Sequence, residues 1–128
     1  MKQGVAPKAN PSNFIMSGGD ASLEDMIKSM KRGVLITRFW YIRALNPRII
    51  SVTGLTRDGT FLIENGKIAR PVTNFRFNQS LAELLASVEM LGRPTRVAAD
   101  ETGSTGTAVV VPPLKVKDFT LASVSDAI

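Results

Sequence analysis

One glycine-rich stretch, residues 54–68 (GLTRDGTFLIENGKI), combines an arginine with two carboxylates. Arg57 precedes Asp58, and the second carboxylate is Glu64. Two carboxyl groups can divide general acid and base work when their surroundings separate their pKa values. The sequence sets no distance between these two and offers nothing that raises the pKa of either. Asp58 fits a tight turn better, where an aspartate bonds to its own backbone.

Other catalytic chemistry is restricted by composition, because the chain contains neither histidine nor cysteine. Thiol nucleophiles, disulfides and thiolate metal sites are excluded, and the commonest general base and zinc ligand is missing. Nucleophilic catalysis by serine or threonine has no activating base in sight. The polar loop at residues 100–107 lacks the lysine that a phosphate-binding P-loop requires after its last glycine.

Size and charge indicate one basic domain. The 128 residues, 44% hydrophobic, are enough to bury a core. The formal charge of +5 favours salt-sensitive attraction to a polyanion such as nucleic acid, but the basic residues are spread out, which favours a solvated surface. No apolar run reaches the roughly 20 residues that span a bilayer, and no signal segment is visible, so we expect a cytoplasmic protein without membrane contact.

The N-terminal part is predicted to contain an arm, a short strand and a helix. Residues 1–11 are expected to form a flexible arm ahead of a single domain at residues 12–128, whose first strand covers residues 13–16. Apolar residues then recur at helical spacing, at Leu23, Met26, Ile27 and Met30. Ser22 and Asp25 form an acidic capping box, and Gly33 is predicted to end the helix as a left-handed cap.

The middle of the chain is predicted to be mostly strand. Residues 34–45 are rich in β-branched and aromatic residues, and of the three consecutive aromatics at 39–41 two are expected in the core and one at the surface. Residues 57–59, Arg-Asp-Gly, predict a tight reversal. Asn65-Gly66 fits a two-residue type I′ hairpin, because both positions accept positive φ.

The remaining elements complete the predicted fold class. Residues 70–79 read as a strand with Pro71 at an edge or bulge, and residues 108–121 as further strands. A second helix is predicted to begin after Ser80, with Glu83 as capping partner and an apolar stripe that ends at Leu91. The order predicts an α+β fold with a mainly antiparallel β-sheet and two short amphipathic helices, with barrel-like closure left open.

Two combinations of motifs resemble a known family. They are TG-x-x-RDG-x-F-x-IENG-x-I-x-x-PV, starting at Thr53, and the later PPL-x-V-x-D-F, starting at Pro112. Together with the segment from Ser12 to Arg43, they are similar to the C-terminal domain of the TldD/PmbA family, also called modulator of DNA gyrase. The resemblance covers residues 12–123.

That resemblance implies zinc-dependent proteolysis of small or unfolded peptides. In the family's TldD-type subunit the metal centre consists of an HExxxH helix and a cysteine, and this chain has neither. It is therefore expected to be either the C-terminal piece of a PmbA-like partner subunit, which lacks the metal motif, or a domain remnant. In both cases we expect no cofactor in this chain and no peptidase activity from the chain alone.

The resemblance also implies a scaffold role. An antiparallel sheet edge can hold an extended peptide through main-chain hydrogen bonds. The candidate peptide-contacting residues are Arg57, Asp58, Asn74, Arg76 and Asn78. The expected partners are a second copy of the chain or a TldD-type subunit. Two alternatives stay open: an independent basic binding module, with nucleic acid not favoured as its ligand, and an enzyme using a divalent ion held by Asp58, Glu64, Asp100 or Glu101.

Overall fold

The computed structural model describes residues 13–97 and 108–124, which form two α-helices, one 3₁₀ helix and ten strands. In chain order these are β1 (Asn13–Ile15), α1 (Leu23–Lys28), β2 (Arg32–Asn46), the 3₁₀ helix (Pro47–Ile49), β3 (Ser51–Glu64), β4 (Lys67–Pro71), β5 (Phe75–Ser80), α2 (Leu81–Ala86), β6 (Val88–Leu91), β7 (Thr95–Val97), β8 (Ala108–Val111), β9 (Leu114–Val116) and β10 (Leu121–Val124). The arm predicted at residues 1–11 and the loop at 100–107 lie outside the described residues.

The main sheet is built around β3. Its strand order is β10-β5-β3-β2, and β4 continues beside β3 where β5 ends. Two smaller sheets have the orders β1-β8-β7 and β6-β9, and among the named strands only the β1–β8 pair is parallel. The predicted α+β class with a mainly antiparallel sheet and two short helices is confirmed. Within the described ranges no sheet closes into a barrel.

The hairpin between β3 and β4 follows the local prediction. Asn65 and Gly66 have φ of 49° and 75°, and Glu64 pairs with Lys67 across the turn. The amides of Asn65 and Gly66 each donate to a carbonyl of the α1–β2 connection at 2.8 Å. The turn is therefore also held by tertiary hydrogen bonds.

Helix α1 begins as predicted but ends differently. The Asp25 amide donates to Ser22 Oγ at 3.0 Å, and the Ser22 amide donates back to Asp25 Oδ2 at 3.1 Å, which completes the capping box. The helix stops at Lys28 with Ser29 as its cap. Gly33 is not the left-handed cap that we predicted, because it already belongs to β2 and pairs with Ile63.

The reversal predicted at residues 57–59 is wrong, because β3 runs straight through it. Asp58 and Gly59 do have positive φ, at 57° and 141°. They lie opposite the single residue Thr37, between the pairs Ile36–Thr60 and Arg38–Arg57. Two residues facing one define a β-bulge. Pairing with β2 on both sides of the bulge keeps the chain extended where the Asp-Gly dipeptide alone favours a turn.

The second helix is shorter than its apolar stripe suggested. Ser80 caps it as predicted, with Ser80 Oγ accepting from the Glu83 amide at 3.4 Å. The helix ends at Ala86, whereas Val88 and Leu91 lie in β6 and pair with β9. Strand pairing overrides the helical period there.

The buried hydrophobic core is small and includes one aromatic cluster. Phe77 is buried, and its ring centroid lies 5.0 Å from that of Phe39 and 5.4 Å from that of Phe119. Of the aromatic run at 39–41, Phe39 is 39% and Tyr41 50% exposed, so the expectation of two core side chains is wrong. The reason is that β2 is an edge strand with little packed against its second half.

Candidate functional site

One face of the main sheet gathers most of its arginines. In the register, Arg38 lies opposite Arg57, and Trp40, Leu55 and Arg76 form one row across three strands. Because opposite residues share a face and alternate residues along a strand return to it, these side chains lie together. Arg43 and Asn78, which flank Thr53, extend the same face. We call this surface the arginine face; its members are Arg38, Trp40, Arg43, Arg57, Asp58, Arg76 and Asn78.

A single carboxylate lies between two of these arginines. Asp58 Oδ2 is 2.7 Å from Arg38 Nη1, and Asp58 Oδ1 is 3.6 Å from Arg57 Nε. The left-handed conformation of Asp58 in the bulge places its side chain there. All three side chains are 38–49% exposed, so solvent screens these ion pairs and each contributes less than about 1 kcal/mol. The cluster is an accessible charged surface rather than a buried structural pair.

Aromatic rings support three of the guanidinium groups. The guanidinium carbons of Arg38 and Arg57 lie 5.0 and 4.7 Å from the Trp40 ring centroid. Arg43 lies 4.1 Å from the centroid of Tyr41. Cation–π contacts of this kind restrict the long arginine side chains before any ligand arrives. The arrangement favours binding of anions with little further loss of side-chain entropy.

The sequence-predicted contact residues are only partly brought together. Arg57, Asp58, Arg76 and Asn78 belong to the arginine face. Asn74 instead has Oδ1 within 3.2 Å of the Thr56 hydroxyl and 3.1 Å of the Thr60 hydroxyl, and is half-buried. Asn74 therefore ties β3 to the connection between β4 and β5. A peptide-contacting role for the five residues stays a prediction.

Three members of the face were not among the contact residues predicted from the sequence, namely Arg38, Trp40 and Arg43. The alternation of Arg38 and Trp40 on a predicted strand was a usable signal. This alternation could not show which residue lies opposite Arg38, because the β2–β3 register across the bulge places Arg57 there. β2 is also the outermost strand of its sheet, and no described strand pairs with its other edge.

The described residues do not fit the zinc that the family resemblance implies. The chain has no histidine or cysteine, and the described part contains no group of three or more His, Cys, Asp or Glu residues placed to hold a metal ion. Of the carboxylates considered for a divalent ion, Asp58 is held by arginines, and Glu64 lies opposite Lys67 in the β3–β4 register. Asp100 and Glu101 lie outside the described residues.

A second charge cluster lies between β6 and the segment around β9. Glu89 accepts hydrogen bonds from Lys117 and Lys115, with both N···O distances 3.0 Å, and these bonds lower the pKa of the Glu89 carboxyl. The same contact raises the pKa of Lys117. Each acceptor oxygen already has its own lysine, so this cluster serves to join two segments.

The fold is that of a small domain whose arginine face is a candidate binding surface. The described residues contain no group of side chains arranged for catalysis. Comparison with known proteins identifies the class: residues 2–123 match the PmbA/TldA metallopeptidase C-terminal domain. The chain belongs to this family. No curated protein matches it.

A solved structure shares the fold. TldE from Thermococcus kodakarensis superposes on 84% of this chain with a TM-score of 0.68 and 22% sequence identity. The chain spans 23% of the length of that protein. Among the described helices, none has the length and apolar character needed to cross a membrane.

Proposed function

We propose that this chain is a non-catalytic scaffold or subunit domain of a TldD/PmbA-type metallopeptidase system that acts on small or unfolded peptides. It is inactive alone and works in the cytoplasm, as expected from the sequence. One observation carries the proposal: a chain of a metallopeptidase family has no histidine and no cysteine. Carboxylates alone are a poor ligand set for zinc, so residues outside these 128 supply the zinc centre.

The contribution of this chain is to hold the peptide. β2 is fifteen residues long and is the outermost of the described strands in the main sheet. An extended peptide that adds to such an edge is bound through its main chain, which tolerates many sequences. Side-chain contacts come from the arginine face, to which β3 contributes Arg57 and Asp58 and β5, one strand further from the edge, contributes Arg76 and Asn78. Asn74 supports the strands beneath them.

Exposed apolar side chains favour a protein partner, either a second copy or the TldD-type subunit. They cluster where β2, the 3₁₀ helix and α2 meet, because the Leu81 amide donates to the Ile50 carbonyl at 3.0 Å. We call this surface the apolar end; its members are Tyr41, Ile42, Leu45, Ile49, Ile50, Leu81 and Leu85. Exposed apolar side chains concentrated at one end of a sheet favour an interaction site there.

Reconstitution tests the proposal. The purified chain, a TldD-type subunit and their mixture are each incubated with zinc and a fluorogenic unfolded peptide. We expect cleavage to rise when the chain is added to the subunit, and none from the chain alone. The control is a TldD-type subunit whose HExxxH glutamate is replaced by glutamine. Mixed with the chain, this variant is expected to cleave no peptide. Cleavage by the chain alone, or no effect of adding it, overturns the subunit role.

A nucleic-acid-binding module is the second candidate. The arginine face and the net charge of +5 favour it. Its signature is an affinity for an oligonucleotide that falls steeply as salt rises, because bound phosphates release counterions.

A further inference from the structure

We propose that a groove between α1 and the β3–β4 hairpin binds the carboxyl-terminal end of a peptide, one with an apolar last side chain and a free carboxylate. We call it the α1–β4 groove; it is lined by residues from Leu23 to Lys28 and by residues 65–68. The inference rests on the proposed function in one respect, namely that the chain holds peptides. The groove is a different surface from the arginine face.

The interior of the groove is apolar. Leu23 and Ile27 are four positions apart in α1 and so share one side of the helix, and Ile68 of β4 faces the same space. Leu23 is 47% and Ile68 50% exposed. The groove has a volume of about 780 Å³, within the range of pockets that hold small ligands. An apolar side chain that enters it is stabilised by burial against these three residues.

The groove is closed at the hairpin turn. The amides of Asn65 and Gly66 donate to the carbonyls of Lys31 and Met30, both at 2.8 Å. A Cβ at Gly66 would lie 2.9 Å from the Lys28 carbonyl oxygen, so the turn is in direct contact with the end of α1. A peptide that lies in the groove and runs toward the turn therefore has to end there.

β4 offers the main-chain groups for such a peptide. It pairs with β3 along one side, and no described strand pairs with its other side. Pro71, which has no N–H to donate, is its last residue. The edge between the turn and Pro71 is short, which suits the end of a peptide better than a long segment. A peptide ending at the turn would run antiparallel to β4.

The charge at the closed end selects the carboxyl terminus over the amino terminus. Lys67 directly follows Gly66, and its ammonium group forms no ion pair with the carboxylates that the structure describes. Glu24, the acidic residue among the described lining residues, lies 2.7 Å from Lys28 Nζ. Lys28 thus neutralises Glu24, and Lys67 leaves a positive charge that a carboxylate complements and an amino terminus does not.

Fluorescence anisotropy with the full chain tests this inference. The first probe is a peptide of five threonine and serine residues followed by leucine, labelled at its amino terminus and with a free carboxylate. The second has a carboxyl-terminal amide, and the third ends in serine instead of leucine.

Both chemical features of the peptide end are expected to contribute. The free acid should bind about fivefold more tightly than the amide at low salt, because an exposed ion pair contributes modestly. This difference shrinks as the salt concentration approaches about 1 M. The leucine peptide should bind about tenfold more tightly than the serine peptide at any salt concentration, because the gain comes from apolar burial.

A pair of charge variants assigns the carboxylate to its site. Lys67→Gln is expected to remove the preference for the free acid and to keep the preference for leucine. Arg70→Gln makes the same change of charge on the same exposed strand, outside the groove, and leaves both preferences intact.

A pair of apolar variants assigns the leucine side chain. Leu23→Ala with Ile68→Ala is expected to remove the preference for leucine. Leu81→Ala with Leu85→Ala truncates two exposed leucines of the apolar end and leaves it intact. Urea unfolding checks that all the variants are folded.

Each contrary outcome points to a different failure. Equal affinity for acid and amide overturns carboxylate recognition. Peptide binding that no groove variant changes overturns the groove as the site and leaves peptide holding in place. Absence of binding to every probe overturns both, while the reconstitution assay still reports on the subunit role. Self-association that is lost in the Leu23 and Ile68 double variant assigns the groove to a second copy of the chain.

Discussion

Two side chains adopt a left-handed backbone conformation that is costly for their type. Ile50 has φ of 49° and Tyr41 has φ of 53°, whereas the other non-glycine residues with positive φ are aspartate or asparagine within the described ranges. Steric contact of a branched or bulky side chain makes this region unfavourable. Both residues lie in the apolar end, Ile50 where the 3₁₀ helix turns into β3. Tyr41 and Ile50 are therefore expected to cost the fold some stability at these positions.

Ile50→Asn is expected to stabilise the isolated chain by up to about 1 kcal/mol. Asparagine tolerates the left-handed region, and Ile50 is 58% exposed, so little packing is lost. Urea unfolding measures the change. Ile49→Asn is the control, because Ile49 is 57% exposed and lies within the 3₁₀ helix without positive φ. Equal shifts in the two variants contradict the strain at Ile50.

The capping box predicts a pH dependence for α1. The hydrogen bonds that Asp25 accepts from the Ser22 hydroxyl and amide lower the pKa of Asp25. A group whose pKa is lower in the folded state adds stability above its unfolded pKa and loses it as the pH falls through the folded value. The stability difference between wild type and Asp25→Asn is therefore expected to be present at pH 7 and to shrink below about pH 4.

Urea unfolding at several pH values measures this difference. In a Ser22→Ala background the hydroxyl partner is gone, so the pH dependence of the Asp25→Asn effect becomes weaker. A difference that is constant from pH 7 to pH 2 contradicts the role of the Asp25 charge.

At the scale of elements, β3 organises the molecule. It pairs with β2 along one side and with β5 and then β4 along the other. One face of this strand lies beneath the arginines, while Gly54, on the other face, lies opposite Phe77. A Cβ at Gly54 would lie 2.6 Å from Phe77 Cζ and 3.2 Å from the Trp40 carbonyl oxygen. The missing side chain lets the aromatic cluster pack directly on the central strand.

Gly54→Ala is expected to destabilise the chain by about 1–3 kcal/mol, because the buried Phe77 ring must move. Gly33→Ala is the matched control in the same sheet. Its Cβ would meet the flexible side chain of Met30, which can shift, so a small effect is expected. Chemical denaturation of the two variants compares the costs. A loss at Gly33 equal to that at Gly54 contradicts the account.

At the scale of the whole molecule, the two ends of the main sheet differ. The apolar end lies beyond the arginine face, whereas at the hairpin end the exposed residues Leu23 and Ile68 line one pocket together with Ile27. The chain spans 23% of the length of TldE from Thermococcus kodakarensis. An apolar surface next to a charged one is typical of a domain that packs against a partner protein.

We therefore predict concentration-dependent self-association through the apolar end. Sedimentation velocity over a range of concentrations is expected to show a larger species that Leu45→Asn with Ile49→Asn removes. Leu23→Asn with Ile68→Asn changes two similarly exposed residues near the hairpin and leaves association unchanged. If the wild-type chain stays monomeric at all concentrations, self-association is ruled out and the apolar end can only bind a different protein.

Local chemistry determined the features that depend on neighbouring residues. The Asn65-Gly66 turn follows from the φ preferences of two residues, and the Ser22–Asp25 cap from hydrogen bonds within one turn of helix. The α+β class follows from the order of such segments. The family resemblance likewise depends on motifs that are contiguous in the sequence.

Pairing between distant segments decided the rest. Asp58 and Gly59 have the positive φ that their types suggest, yet β2 holds them in a bulge instead of a reversal. Val88 has helical spacing but pairs with β9. The arginine face exists because the β2–β3 register brings Arg38 opposite Arg57, residues nineteen positions apart in the sequence. Register is a property of two strands and the bulges between them, so neither strand alone could determine it.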